Sequence, residues 1–300
     1  MKGPTTEVQA DPSPDRHEPP LVSIVTPTFN SARYLEELLR SVDAQDYPRI
    51  EHIVIDDGSR DDGATVALLG RHPRVRWWSR ENRGQYATLN EGFRAATGDF
   101  ITTISADDVY ADAGAIGALA TFLRSHPEYD VVHGYTKHIK ENGEPIPVQP
   151  YQRYPYWMLR YNLGFIGHCS LLVRRQRLIE GGLLFDESLK FIGDADWLIR
   201  LSEAGCRFGR VERFIAAYRH HDEQVTMRAT ADMRADAARQ MERSRVYRAY
   251  RARPAIIKLV DAYNTAQQRR LKVLGAWRRG GLTEVVRASS NWVRRKHGTE

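Results

Sequence analysis

Two pairs of adjacent carboxylates close apolar runs in this chain. They are Val54-Ile55-Asp56-Asp57-Gly58-Ser59 and Ile101-Thr102-Thr103-Ile104-Ser105-Ala106-Asp107-Asp108. In each, a β-branched run of the kind that fills a buried parallel strand stops abruptly at acid. Ligands of open α/β sheets sit beyond the carboxyl ends of the strands. Two acidic pairs at two such ends therefore point to one shared pocket. Hard oxygen ligands there suit Mg²⁺ or Mn²⁺ and, through the metal, a diphosphate.

The elements that must carry these acids read as alternating strands and helices. Strands are expected over 21–28, 52–57, 75–79 and 100–105. Helices are expected over 32–45, 61–69, 85–96 and 113–124, the first with Leu35, Leu38, Leu39 and Val42 on one face. Asn30 and Ser31 are placed to cap that helix, and Asp61 and Asp62 stand favourably at the start of the next. Short loops between alternating elements imply right-handed crossovers and a parallel sheet. Beyond about residue 130 the alternation breaks down. Strands are expected over 131–138, 168–174 and 208–219, a helix over 194–204, and an ordered Pro/Tyr-rich loop over 145–157. From 229 onward the pattern is helical.

Composition sets further bounds. A chain of 300 residues with 42% hydrophobic content holds one large domain, or one domain with appendages. Residues 1–19 are rich in proline and charge and read as a disordered leader with no apolar signal-peptide core. No run is long and apolar enough to cross a membrane. Cys169 and Cys206 have no partner spacing and read as small reduced core residues. The net charge of +6 is unevenly spread, since residues 228–300 hold 18 Lys and Arg against 6 Asp and Glu. The rest of the chain is mildly acidic, and such asymmetry points to a polyanionic partner for the tail. No G-x-G-x-x-G follows the first strand, where Pro27-Thr28-Phe29-Asn30 stands instead, which argues against a dinucleotide-dependent dehydrogenase.

Six segments, in order, resemble the family-two inverting glycosyltransferases of GT-A fold. Val22 to Asn30 is similar to that family's opening strand and turn, and Asp56-Asp57-Gly58-Ser59-Arg60-Asp61 to its second-strand motif. Asn82-Arg83-Gly84 with Asn90-Glu91-Gly92 resembles its third. Ala96-Thr97-Gly98-Asp99-Phe100 leading to Ser105-Ala106-Asp107-Asp108 resembles the approach to its D-x-D metal motif. Phe185-Asp186-Glu187 and Asp194-Ala195-Asp196-Trp197 with Arg200-Leu201 resemble the acceptor-side segment that carries the catalytic base. Tyr218-Arg219-His220-His221 with Gln224 resembles its closing motif. The match covers roughly 21–227. Two positions depart from the pattern: Ser105 stands where the first motif Asp is expected, and Gly193 where an acid often precedes the base.

The resemblance implies an α/β catalytic domain over 20–227, with a nucleotide-sugar half over about 20–125 and an acceptor half over about 126–227. A basic helical tail, 228–300, follows. It implies attack of an acceptor hydroxyl on the anomeric carbon of a nucleotide sugar such as a UDP-sugar. That chemistry needs a charge-neutralising group at the departing diphosphate and a carboxylate to take the hydroxyl proton. The implied donor-site residues are Pro27, Thr28, Asn30, Asp56, Asp57, Arg83, Gln85 and Asp107. Of these, Asp57 is expected to accept hydrogen bonds from the base or ribose, and Arg83 and Gln85 mark a helix start suited to phosphate. The implied metal ligands are Asp107, Asp108 and His221, for Mn²⁺ or Mg²⁺. Asp194 is the implied base, with Asp196 as rival, and His168 lines the acceptor side. The acceptor is a saccharide or lipid-linked saccharide, in bacterial surface polysaccharide or glycoconjugate synthesis. The interleaved Trp, Leu, Val and Arg residues of the tail fit either an anionic membrane surface or packing on the body or a second subunit. The expected setting is the cytoplasm, at the inner face of the plasma membrane if the tail binds lipid. A non-catalytic nucleotide-sugar-binding relative is the first alternative. A nucleic-acid binder is the lesser one, because no base-reading module is present.

Overall fold

The computed structural model describes residues 18–147 and 166–224 throughout, with positions 156, 159, 233–236, 238, 239, 252, 258, 262, 263, 265 and 266. The leader, most of the Pro/Tyr-rich stretch and most of the tail lie outside the described residues.

Among the described residues nine strands form one sheet in the order β3-β2-β1-β4-β8-β6-β9-β5, with β7 on the side of β6. Its first part is parallel. β1 (Val22–Thr28) lies between β2 (Ile50–Asp56) and β4 (Phe100–Thr103), and β2 pairs with β3 (Arg76–Ser79). The two faces sort by the period of two along a strand. Val22, Ile24 and Val54 face one core, with Leu35, Leu38 and Leu39 of α1 (Ala32–Asp43) and Ile116 and Leu119 of α4 (Ala115–Ser125). Val25, Ile53 and Ile55 face the other, with Leu89 and Phe93 of α3 (Gln85–Ala95) and Trp197, Leu198 and Leu201 of α6 (Gly193–Glu203). Contact of α3 with β1 requires glycine at position 92, where a Cβ would stand 2.3 Å from Val25 Cγ1. Cys169 and Cys206 are buried free thiols, as expected.

The second part of the sheet turns antiparallel. β8 (Leu171–Arg174) runs against both β4 and β6 (Val131–Lys140). β9 (Phe208–His220) pairs in parallel with β6 and then antiparallel with β5 (Val109–Tyr110), in register Val109 with Ala217. This crossing carries the closing motif back to the acids after β4. β7 (Pro145–Ile146) hairpins onto β6, and α2 (Ala64–Leu69) and α5 (Arg175–Ile179) are short helices.

Three expectations change. Residues His168–Ser170 form a 3-10 turn ahead of β8 rather than its first residues, which turns His168 out of the ladder. Ser31 occupies the cap position of α1 but makes no side-chain cap; its hydroxyl donates to the Phe29 carbonyl at 3.0 Å. Asn30, at φ 51°, accepts from the Arg60 N–H at 2.6 Å instead of capping. Asp61 lies before α2 rather than in it, and accepts from the Thr65 N–H and hydroxyl. Among the described residues no helix is long and apolar enough to cross a membrane.

Candidate active site

The β1–β2 register sets Thr28 beside Asp56, so the carboxyl ends of both strands open together. Pro27, Thr28 and Asn30 line this end, and Asn30 ties the two loops, its N–H donating to Ser59 Oγ at 2.8 Å. Asp56, 1% exposed, is held by Ser59 and by Ser79 Oγ at 2.6 Å, so it braces the end of β2 from inside. Asp57 is spent on the loop before α3. It accepts from the N–H groups of Arg83 at 2.8 Å and Gly84 at 2.9 Å and pairs with the Arg80 guanidinium. The amides that the sequence offers to a phosphate at this helix start thus hold an internal carboxylate. The Arg83 side chain is exposed, with one nitrogen 3.9 Å from Glu91. Gln85 turns the other way and donates to the Lys190 carbonyl at 3.3 Å.

The second acidic pair divides its labour. Asp107 is 27% exposed on its side chain, and its Oδ2 lies 2.9 Å from His221 Nε2. Asp108 is fully buried. Its Oδ1 accepts the Arg219 N–H at 3.0 Å, and its Oδ2 has no partner among the described residues. Burial, reinforced by the neighbouring Asp107 charge, pushes the Asp108 carboxyl well above the usual range. Arg219 knits this turn together. Only 1% exposed, it donates to the Asp107 carbonyl at 2.9 Å, to the Glu141 carbonyl at 2.9 Å and to Glu37 at 2.6 Å. Its guanidinium also lies 5.2 Å from the centre of the Tyr34 ring, which packs 4.8 Å from the His221 ring.

These residues fit a divalent cation in part. Two ligands at right angles about Mg²⁺ or Mn²⁺ stand roughly 3 Å apart at metal–oxygen distances of about 2.1 Å, and the Asp107–His221 separation of 2.9 Å matches that. Among the described residues no group of three His, Cys, Asp or Glu could hold a metal. A cation here would be completed by substrate oxygens and water, as is usual for Mg²⁺ beside phosphates. Asp108 backs the turn from the interior.

Facing this turn is the start of α6. Asp194, 23% exposed on its side chain, places Oδ2 3.8 Å from His168 Nδ1, and the other ring nitrogen of His168 lies 3.3 Å from Ser105 Oγ. One imidazole therefore spans from the acidic turn to Asp194. Burial opposes its protonation, but Asp194, Asp108 and Asp107 outweigh that and raise its pKa above the ordinary value. Asp196 is otherwise engaged, in an ion pair with Arg200 at 2.6 Å. Glycine at 193 has a steric cause: a Cβ would stand 2.5 Å from the Tyr86 ring, whose hydroxyl accepts the Gly193 N–H at 2.8 Å.

The structure thus brings Asp107, Asp108, His221, His168 and Asp194 together, and sets Pro27, Thr28, Asn30, Asp56 and Asp57 at the adjoining strand ends. Sequence reasoning quoted Arg219 within the closing motif but gave it no role, and passed over Arg80, Tyr34, Tyr86 and Asp236. For Arg219 a signal existed, a charge beside the run Ile215-Ala216-Ala217 of an otherwise buried strand. Tyr86 and Asp236 carried none.

Comparison with known proteins bears on the family and the fold. The glycosyl transferase family 2 model matches residues 23–181. An uncharacterised glycosyltransferase of Rickettsia felis is 31% identical over 213 residues, covering 68% of this chain and 35% of the relative, so the chain spans about a third of that protein. The crystal structure of Staphylococcus aureus TarS residues 1–349 in complex with UDP-GlcNAc superposes with TM-score 0.61 at 19% identity, covering 91% of this chain and 81% of that TarS fragment. A mannosyltransferase from Pyrobaculum calidifontis in complex with GDP-Man and Mn²⁺ gives TM-score 0.56 at 20% identity, covering 94% and 82%. Likeness at that identity supports the shared GT-A fold, and the family match over more than half the length carries the assignment: the chain belongs to glycosyl transferase family 2.

Proposed function

We propose that the protein transfers a sugar from a nucleoside-diphosphate donor to an acceptor hydroxyl by single displacement, with inversion at the anomeric carbon. The observation that carries this reading is the His168 ring between Asp194 and Ser105, the residue two before Asp107, while Asp196 is tied to Arg200. Asp194 accepts the acceptor proton as the new glycosidic bond forms and the bond to the diphosphate breaks. Its partly exposed side chain leaves it in reach of a hydroxyl. The strand ends at Pro27, Thr28, Asn30, Asp56 and Asp57 support a nucleoside site. Asp107 and His221 would hold Mn²⁺ or Mg²⁺, which when bound neutralises charge on the departing diphosphate. A UDP-sugar is the donor suggested by the TarS complex, with a GDP-sugar as the competing choice from the mannosyltransferase.

The acceptor is proposed to be a saccharide or lipid-linked saccharide in bacterial surface glycoconjugate synthesis. The balance of 18 basic against 6 acidic residues over 228–300 supports contact with an anionic leaflet at the cytoplasmic face. Each such residue near the surface contributes about 1 kcal/mol. A subunit contact through the same segment is the competing use, and salt-reversible sedimentation with anionic vesicles separates the two.

The direct test of the donor reading is thermal stabilisation by UDP, GDP and their sugars, with and without Mn²⁺, followed by release of free nucleotide. A real site raises Tm by mass action. No stabilisation by any nucleotide, with no release, would leave a non-catalytic member of the family.

A further inference from the structure

The backbone that delivers Asp194 to the site is held by a residue from the basic C-terminal segment. Asp236 is 1% exposed. Its Oδ2 accepts the N–H groups of Lys190 at 2.6 Å and Phe191 at 2.9 Å, and its Oδ1 takes Arg239 at 2.8 Å. The neighbouring backbone groups are held by others. The Lys190 carbonyl accepts from Gln85 and the Gly193 N–H reaches Tyr86. The Leu189 N–H donates to the Asp186 carbonyl. α6 has no side-chain cap of its own at Ile192. Its start is therefore positioned from outside, and Asp236 supplies two of the bonds.

We infer that Asp236 is a positioning residue for Asp194, and that the catalytic unit extends past residue 227 into the basic segment. The inference rests on the reading of Asp194 as base. An ionised oxygen shared by two N–H groups makes charge-assisted bonds, about twice as strong as neutral ones. An acid is scarce in this stretch, with 6 against 18 bases over 228–300, and this one is turned inward onto the loop before α6. The geometric demand is severe, because a misplacement of about 1 Å at a reacting group costs about 10²-fold in rate. The proposed donor-site residues lie at the ends of β1 and β2 and in the turn after β4, and among the described residues none of them hydrogen-bonds to Asp236. The expected signature is a loss of turnover with donor affinity kept.

The experiment compares wild type with Asp236→Ala and Asp236→Asn in the full chain. Steady-state nucleotide release gives kcat and donor KM, and amide hydrogen exchange follows the peptide over 186–196. The expected result is a kcat about 10- to 100-fold lower in Asp236→Ala, a donor KM within about twofold of wild type, and faster exchange at Lys190 and Phe191. Asp236→Asn keeps an acceptor oxygen for the two amides and should recover most of the lost kcat. If Asp236→Ala does not fold, Asp236→Asn against wild type decides the matter, with slightly faster exchange and a several-fold lower kcat expected. Wild-type kcat, unchanged exchange, or a loss seen in KM alone would overturn the proposal. Asp194→Asn run alongside separates the failures. Full activity there defeats the base assignment, while the exchange readout still reports whether Asp236 holds the segment.

Discussion

Asp107 and His221 meet at 2.9 Å although 114 positions separate them in the chain. The meeting depends on β9 crossing to pair with β5, so a local turn and a distant strand end make one site. Asp107→Ala and His221→Ala should each cut nucleotide release about 10²–10³-fold and abolish any Mn²⁺-dependent rise in Tm, with the fold intact. Asp108→Ala should behave differently. It leaves the Arg219 N–H without its acceptor in the interior, so Tm should fall with a cost of about 1–3 kcal/mol. Equal stability of the Asp107 and Asp108 variants would sink that division of roles.

Asp194→Asn removes basicity at nearly constant shape. Turnover should drop about 10²–10⁴-fold with near-normal donor binding. Asp196→Asn breaks only the pair with Arg200, and should cost about 1 kcal/mol of stability or less with kcat close to wild type. Titration calorimetry with the nucleotide, beside turnover, checks both. The reverse pattern would move the base to Asp196.

Gly193→Ala drives a methyl to 2.5 Å from the Tyr86 ring. Overpacking of this kind costs about 1–3 kcal/mol and should displace Asp194, so denaturant midpoint and kcat fall together. Combining it with Tyr86→Ala makes room for the methyl. The double variant should then be less destabilised than the sum of the singles, and strict additivity would contradict the steric account.

His168 gives a pH signature. Its folded pKa is raised by Asp194, Asp108 and Asp107 against the opposing effect of burial. Protonation therefore favours the folded state. The stabilisation is fully present below the unfolded value of about 6.5 and is lost as pH rises through the folded pKa. In EDTA, the Tm gap between wild type and His168→Gln should be widest on the acid side and narrow as pH rises. A gap that widens with pH would contradict the arrangement.

Much of the donor half was legible because its signals are local. Alternating apolar periods located β1, α1, β2, α3 and β4 to within a few residues, with Asp57 directly after β2 and Asp107 in the turn after β4. What was not legible is which nearby partner a polar side chain takes, and contact between distant segments. Ser31 read as a helix cap, yet its hydroxyl turns back to Phe29. Residues 168–170 read as strand by composition, yet they form a turn that frees His168 to reach Ser105 and Asp194. Arg83 and the residues beside it read as a phosphate cradle, but Asp57 takes those amides. No local pattern announces that Asp236, deep in a basic tail, caps the backbone at Lys190 and Phe191.

The central claim is single displacement at the anomeric carbon with Asp194 as the proton acceptor, and the configuration of the first-formed product tests it most directly. Water can replace the acceptor in slow donor hydrolysis. Proton NMR of the sugar released from an α-linked UDP-sugar, read before mutarotation, should show the β anomer first, and the signal should fall about 10²-fold or more in Asp194→Asn. Initial release of the α anomer, or an undiminished rate in Asp194→Asn, would contradict the account.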